Sequence, residues 1–241
     1  MKQKARKMKL SLKILSLLSC VALLSVGFAA WWIVTINNED PTTTGSFTTY
    51  TVGQKNVDVV VNDITPAKIV YGKPASTSTP ATWLVIDDME AEVMEATMTF
   101  TVSTAAGTNL SSLIGGVQID FASSDAATFK EGIDNGYIAA PVITGTYGNS
   151  TSFSIPAYNA TTGKVSVALP AAALNSNTVT VTLTFTFDWG TKTGGQNPFD
   201  YYNKQSYDKA TEASALLEWV NNNMASANYD VTITATPKTA N

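Results

Sequence analysis

The side chains of this chain that could do chemistry are mainly carboxylates. Five of them, Asp87, Asp88, Glu90, Glu92 and Glu95, fall within one short stretch. Two carboxylates held about 5–10 Å apart can hydrolyse a glycosidic bond, and carboxylates with Asn and Gly can bind Ca²⁺. The chain has no EF-hand spacing, so a calcium cofactor is unsupported. Solvated surface charge is the favoured interpretation, and we expect no cofactor, no metal and no enzymatic activity.

The residue types of several catalytic classes are missing. The chain contains no His, which excludes Ser-His-Asp and Cys-His catalysis and His-based zinc sites. Its one Cys, Cys20, lies in the N-terminal apolar segment, so the remainder has neither a disulfide nor a thiol nucleophile. No G-x-S-x-G motif is present. These absences favour a binding or structural role over catalysis.

The charge of the chain is divided between its N-terminal segment and the remainder. Residues 1–29 hold five Lys, one Arg and no acid, whereas residues 30–241 hold nine Lys and nineteen acids, a net charge of −10. Arg6 is the single Arg of the chain. An acidic domain without Arg lacks the bidentate phosphate clamp and repels nucleic acid. We therefore expect no nucleic-acid partner.

Threonine dominates the polar half of the alternating segments. Three segments read T-x-T-x-T, at residues 97–101, 182–186 and 232–236. A period of two is typical of a half-buried β-strand, and Thr is common on the solvent face of strands. If the three strands are neighbours, their Thr sides form a platform for self-assembly or, despite the lack of a solenoid repeat, for ice or glycans. This candidate interaction surface consists of Thr97, Thr99, Thr101, Thr182, Thr184, Thr186, Thr232, Thr234 and Thr236.

An aromatic cluster follows the longest alternating segment, Asn177 to Trp189. Its members are Phe187, Trp189, Phe199, Tyr201 and Tyr202, and the last four are the candidates for glycan stacking. Aromatic rings beside loops can stack on sugars, and they can also plug the end of a β-sandwich core. The second role is favoured. The first defines the alternative function, a carbohydrate-binding module or glycosidase-like domain with a glycan as partner.

The N-terminal segment predicts export. Residues 1–13 are basic, and Ile14 to Val34 run for 21 residues without a charge. As a helix this span is about 31 Å long, the thickness of a bilayer core. Basic residues before it and acids after it place the rest of the chain outside the membrane. Two outcomes stay open: signal peptidase cleavage after Ala29, with a signal peptide of residues 1–29, or an uncleaved anchor in the plasma membrane or cell envelope through residues 14–34.

The remainder predicts one β domain at residues 46–241 after a linker at residues 35–45. About ten short strands separated by Gly, Asn and Pro turns indicate an antiparallel β-sandwich of jelly-roll or Ig-like type. They include short strands at residues 68–71 and 83–86 and a long one at residues 90–103. One or two helical turns are expected near residues 124–130. One late amphipathic helix is expected at about residues 206–225, where it would cover an end or a face of the sandwich.

The pattern resembles exported proteins of Gram-positive bacteria and, more distantly, the TasA/camelysin family of biofilm-matrix fibre proteins. The matching features are the basic N-terminus, S-V-G-F-A-A, T-T-G-S-F at the first strand and the late strand N-T-V-T-V-T-L-T-F-T-F. The resemblance implies a jelly roll whose subunits are joined by a donated N-terminal strand, which residues 30–52 would supply here. Camelysin-type proteins are described as metalloproteases, but this chain has no His for such a site.

The sequence as a whole predicts a secreted or cell-surface structural, matrix or adhesion protein. Its main expected partner is a second copy of itself, in an oligomer or filament. Exposed strand edges would provide the contacts.

Overall fold

The computed structural model describes residues 32–36, 46–53, 57–66, 68–74, 90–104, 107–203, 207–224 and 228–238. The predictions for residues 1–29, including cleavage after Ala29, lie outside these ranges, as does a strand predicted at Trp83 to Ile86. Trp32, Ile33 and Val34, which end the predicted apolar span, lie in a β-strand.

In the described ranges, ten strands form two sheets. Their bounds in chain order are β1 (Trp32–Ile36), β2 (Ser46–Gly53), β3 (Asp58–Thr65), β4 (Glu95–Ser103), β5 (Ile114–Ser123), β6 (Val142–Tyr147), β7 (Thr151–Phe153), β8 (Lys164–Ala168), β9 (Thr178–Thr186) and β10 (Asn228–Pro237). The first sheet has the order β1-β2-β10-β5-β8 and the second the order β3-β4-β9-β6-β7. Neighbouring strands are antiparallel except β2 and β10, which are parallel. The predicted mainly β, two-sheet architecture is confirmed.

The core lies between the sheets because the alternating segments turn their apolar sides inward. In β9, Val181, Leu183 and Phe185 are at most 1% exposed. On the opposite sheet, Val231 and Ile233 of β10 are fully buried. Burial of a large apolar side chain contributes about 1.5–3 kcal/mol, so this regular alternation fixes which side of each strand faces the core.

The part of the chain that the structure describes also has three α-helices, which cap one end of the sandwich: α1 (Ala126–Asp134), α2 (Pro198–Asn203) and α3 (Ala210–Met224). The late helix α3 is confirmed, and its apolar stripe is buried. Trp219 of α3 donates a hydrogen bond to Glu131 of α1 over 3.1 Å. At the start of α1, hydrogen bonds from the Thr128 side chain and backbone lower the pKa of the Asp125 carboxyl, as expected for a helix N-cap.

The structure differs from the sequence prediction around residues 68–94. A continuous strand is expected at residues 68–71 and again from Glu90, but residues 70–73 and 91–93 form only isolated bridges, one antiparallel and one parallel. Gly72 lies so close to the backbone of residues 90–91 that an added Cβ would be 2.1 Å from the Glu90 carbonyl oxygen. Since Pro74 follows and has no N–H to donate, a regular ladder cannot continue there.

Candidate functional site

The threonine strands separate into two groups. Thr97, Thr99 and Thr101 lie on β4, beside Thr182, Thr184 and Thr186 on β9. Thr97 is directly opposite Thr184, and Thr99 is opposite Thr182. By contrast, Thr232, Thr234 and Thr236 belong to β10 in the other sheet. A single platform made of all three strands is therefore wrong, because β10 faces outward on the opposite side of the sandwich.

A third strand extends the surface on the other side of β9. Thr144 and Thr146 of β6 pair with Thr184 and Thr182, which places three Thr side by side in two successive rows. Sequence reasoning missed these residues because two Thr in a short strand carry no signal until the strand's neighbour is known. We call the following nine residues the threonine face: Thr97, Thr99, Thr101, Thr144, Thr146, Thr180, Thr182, Thr184 and Thr186.

The threonine face carries hydroxyl and methyl groups but no charge of its own. Thr144 and Thr180 are exposed and the other seven are partly exposed. Thr101 accepts a hydrogen bond from Asn62 over 2.6 Å, and its hydroxyl oxygen lies 3.5 Å from that of Thr180. Since each Thr contributes one donor and acceptor hydroxyl beside a methyl group, the surface can make both polar and apolar contacts.

Two valines flank this surface. Val60 pairs with Thr101 and is 52% exposed, while Val142 pairs with Thr186 and is 54% exposed. They are the exposed large hydrophobic residues of the described part of the chain. Both therefore enlarge the apolar component of the threonine face.

The aromatic residues lie mostly in the core. Trp189, Phe199 and Tyr202 are 4%, 1% and 1% exposed, and only Tyr201 of the four is partly exposed. The Trp189 ring packs edge-on against Tyr71 with 5.3 Å between centroids. Buried rings offer no face to a sugar in this conformation. The cluster instead closes the helical end of the sandwich, which was the favoured expectation.

A half-buried carboxylate holds this closed end together. One oxygen of Glu92 accepts hydrogen bonds from the Trp189 indole over 3.1 Å and from the Asn197 amide over 2.6 Å. Asn197 also donates to the Gly72 carbonyl over 3.0 Å. These bonds tie the loop after β9 to the segment before β4, so Glu92 serves packing in this arrangement.

Two other candidate carboxylates lie at the surface. Glu90 pairs with Lys68, and Glu95 is exposed at the start of β4. Within the described ranges, no group of three or more acidic or cysteine side chains is placed to hold a metal ion. Asp87 and Asp88 lie outside these ranges.

The strand edges are the second candidate site. β10 lies between β5 and β2, and the β2 contact consists of seven parallel residue pairs from Asn228–Ser46 to Thr234–Val52. β1 then continues the sheet outward by pairing with β2. One side of β10 is thus completed by a strand that comes from near the start of the chain.

Comparison with protein-family models, with curated proteins and with solved structures found no match for this chain. None of the helices in the described ranges combines the length and hydropathy needed to cross a membrane.

Proposed function

We propose that this chain is an exported structural protein of the cell surface or extracellular matrix, and that copies assemble through strand edges. The observation that carries the proposal is the pairing of β2 with β10. This pairing uses backbone hydrogen bonds, which an identical strand from a second copy can form equally well. The uncharged span after the basic N-terminus supports export, with the domain outside the membrane.

The strand order supports a jelly-roll assignment with an added strand. Without β1 and β3, the sheets have the orders β2-β10-β5-β8 and β4-β9-β6-β7. When these eight strands are renumbered 1 to 8 along the chain, the orders become 1-8-3-6 and 2-7-4-5, which is the strand order of a jelly roll. In that fold the first and last strands are antiparallel. The extra strand β3 reverses the chain once more between β2 and β4, which accounts for the parallel pair.

Pairing of a strand with the β2 side of β10 is energetically favourable. Val231, Ile233 and Ala235 are fully buried, so β10 is held firmly in the sheet. Without β2, the backbone N–H and C=O groups along one side of β10 would lose their partners, and open strand edges promote pairing with other chains. Donation of residues 30–52 to the next copy would fill this edge and extend a filament.

The proposal is tested with the full chain, purified after export and examined by electron microscopy over a range of concentrations. Filaments or higher oligomers are expected, and deletion of residues 30–52 should abolish them. A peptide of residues 46–53 in excess should shorten filaments by occupying β10 edges. The same peptide with Pro at the positions of Thr49 and Thr51 is the control, because Pro cannot donate to the ladder.

Two results would refute assembly through this edge. The first is a full chain that stays monomeric at every concentration. The second is filament formation that is unchanged by the deletion. A glycan panel is expected to give no binding, because Trp189, Phe199 and Tyr202 are buried; specific binding lost in Tyr201→Ala would instead favour the glycan alternative.

A further inference from the structure

We infer that the threonine face is a second contact surface, on which another copy of this chain packs sheet against sheet. This contact uses a sheet face and no strand edge, so it does not depend on strand donation. The first support is the regularity of the surface. Thr residues occupy adjacent, paired positions on three neighbouring strands, and Val60 and Val142 lie on the same side.

The absence of charge inside the threonine face is the second support. Solvent-facing sheets usually carry interspersed Lys, Glu and other charges that oppose stacking. Here the acids stand along the margin of the surface: Glu95 pairs with Thr186 at one end, and Asp58 and Asp63 of the edge strand β3 pair with Ser103 and Thr99. Two copies can therefore approach without burying a charge at the centre, which would be costly.

The twist of the second sheet indicates which kind of partner fits the threonine face. Adjacent strands rotate by about 20–25°, so five strands accumulate about 80–100° from edge to edge. A rigid flat surface such as ice or a crystalline polysaccharide touches only part of such a sheet. A second copy has the same twist, and two sheets of like twist pack face to face at about −30°. A second copy is therefore the better fit.

The available area is sufficient for a reversible contact. The five strands present about eighteen outward positions, each about 32 Å² in footprint from the strand spacing and the two-residue repeat. This gives about 580 Å² per copy and about 1,200 Å² for a pair, the lower end for specific interfaces. We expect a dimer in exchange with the monomer, and two-fold symmetry closes it at two copies.

Salt gives the contact a distinctive signature. Glu95, Asp58 and Asp63 bring like charges together along the margin of the interface, and the exported part of the chain is acidic overall. Screening weakens this repulsion. Association through the threonine face should therefore tighten as salt rises from about 10 mM to about 300 mM, the opposite of an interface held by ion pairs.

The test is sedimentation of the full chain, purified after export, at several concentrations and salt levels. Thr182→Glu places a charge at the centre of the threonine face and should lower the dimer association constant at least ten-fold. Its matched control is Thr234→Glu, a partly exposed Thr on the central strand β10 of the other sheet, which should leave the constant unchanged. Val142→Thr removes apolar contact with little risk to folding and should weaken association by at least about four-fold.

The outcomes separate this contact from strand donation. A dimer that survives deletion of residues 30–52 but is lost in Thr182→Glu supports the inference, whatever becomes of the filaments. Equal effects of Thr182→Glu and Thr234→Glu would overturn it. So would a deletion variant that stays monomeric at high concentration and high salt, or a monomer that binds ice or insoluble polysaccharide through Thr182.

Discussion

Replacing Tyr71 by Phe is expected to stabilise this protein. Tyr71 is 3% exposed, and within the described residues its hydroxyl has no hydrogen-bond partner. A buried polar group without a partner costs about 1–3 kcal/mol. The Phe ring keeps the edge-on contact with Trp189 while removing the unsatisfied oxygen. The free energy of unfolding should rise by about 1 kcal/mol at pH 8, which corresponds to about 2–4 °C in Tm for a domain of this size.

The advantage of Tyr71→Phe should grow in alkali. Burial, reinforced by the negative charge of Asp188, raises the pKa of Tyr71 far above its usual 10. In the unfolded chain the hydroxyl ionises near pH 10, whereas in the folded protein it stays protonated. The stability contribution of Tyr71 is therefore complete below pH 10 and falls above it by up to about 1.4 kcal/mol per pH unit. At pH 11 the variant should exceed the wild type by about 2.4 kcal/mol.

Urea unfolding at pH 8 and pH 11, followed by circular dichroism, measures both effects. Tyr201→Phe is the control, because its ring is partly exposed and its change should stay within about 0.5 kcal/mol. A Tyr71→Phe variant less stable than the wild type at pH 8 would refute the unsatisfied hydroxyl. An advantage that does not grow between pH 8 and pH 11 would refute the raised pKa.

Three further predictions concern single contacts, each measured by urea unfolding. Asp125→Ala removes the N-cap of α1 and should cost about 1 kcal/mol; Asp125→Asn, which can still cap, should cost less, and equal losses would contradict the cap. Asn197→Ala leaves Glu92 with one donor fewer in a half-buried site and should cost about 1–3 kcal/mol, while no change would show that the loop after β9 is held otherwise. Gly145→Ala places a Cβ 2.5 Å from the Phe153 ring and should cost about 1–3 kcal/mol by overpacking; adding Phe153→Leu should recover part of this loss if the clash is the cause.

Sequence patterns predicted strand faces well because burial alternates with the residue. The segments of β4, β9 and β10 have the expected apolar and threonine sides, and the stripe of α3 is buried as its spacing indicates. Sheet membership was not predictable from these patterns. The T-x-T-x-T of β9 and of β10 look alike, yet they end in different sheets because long-range pairing decides the neighbours.

The candidate surface was predictable only in part for the same reason. Alternation assigned Thr182 to an outward side but could not indicate that Thr146 stands beside it. The burial of Trp189 is favoured by its position but not fixed by it, since an aromatic ring near a turn fits both a ligand site and a core plug. Its partner Glu92 lies far away in sequence, and no local spacing connects the two.

Because β2 runs parallel to β10, the two ends of the sandwich differ: one end (one pole) has the start of β1 and the end of β10, and the other pole has the helices. Trp32 pairs with Gly53, at the end of the first sheet where β10 finishes, while the helices occupy the other end. β1 and β10 are separated only by β2, about 10 Å at the usual strand spacing. Both ends of the described chain therefore emerge at one pole. If a copy is tethered to a membrane through the residues before β1, as the proposed function allows, the helical end points away from that membrane.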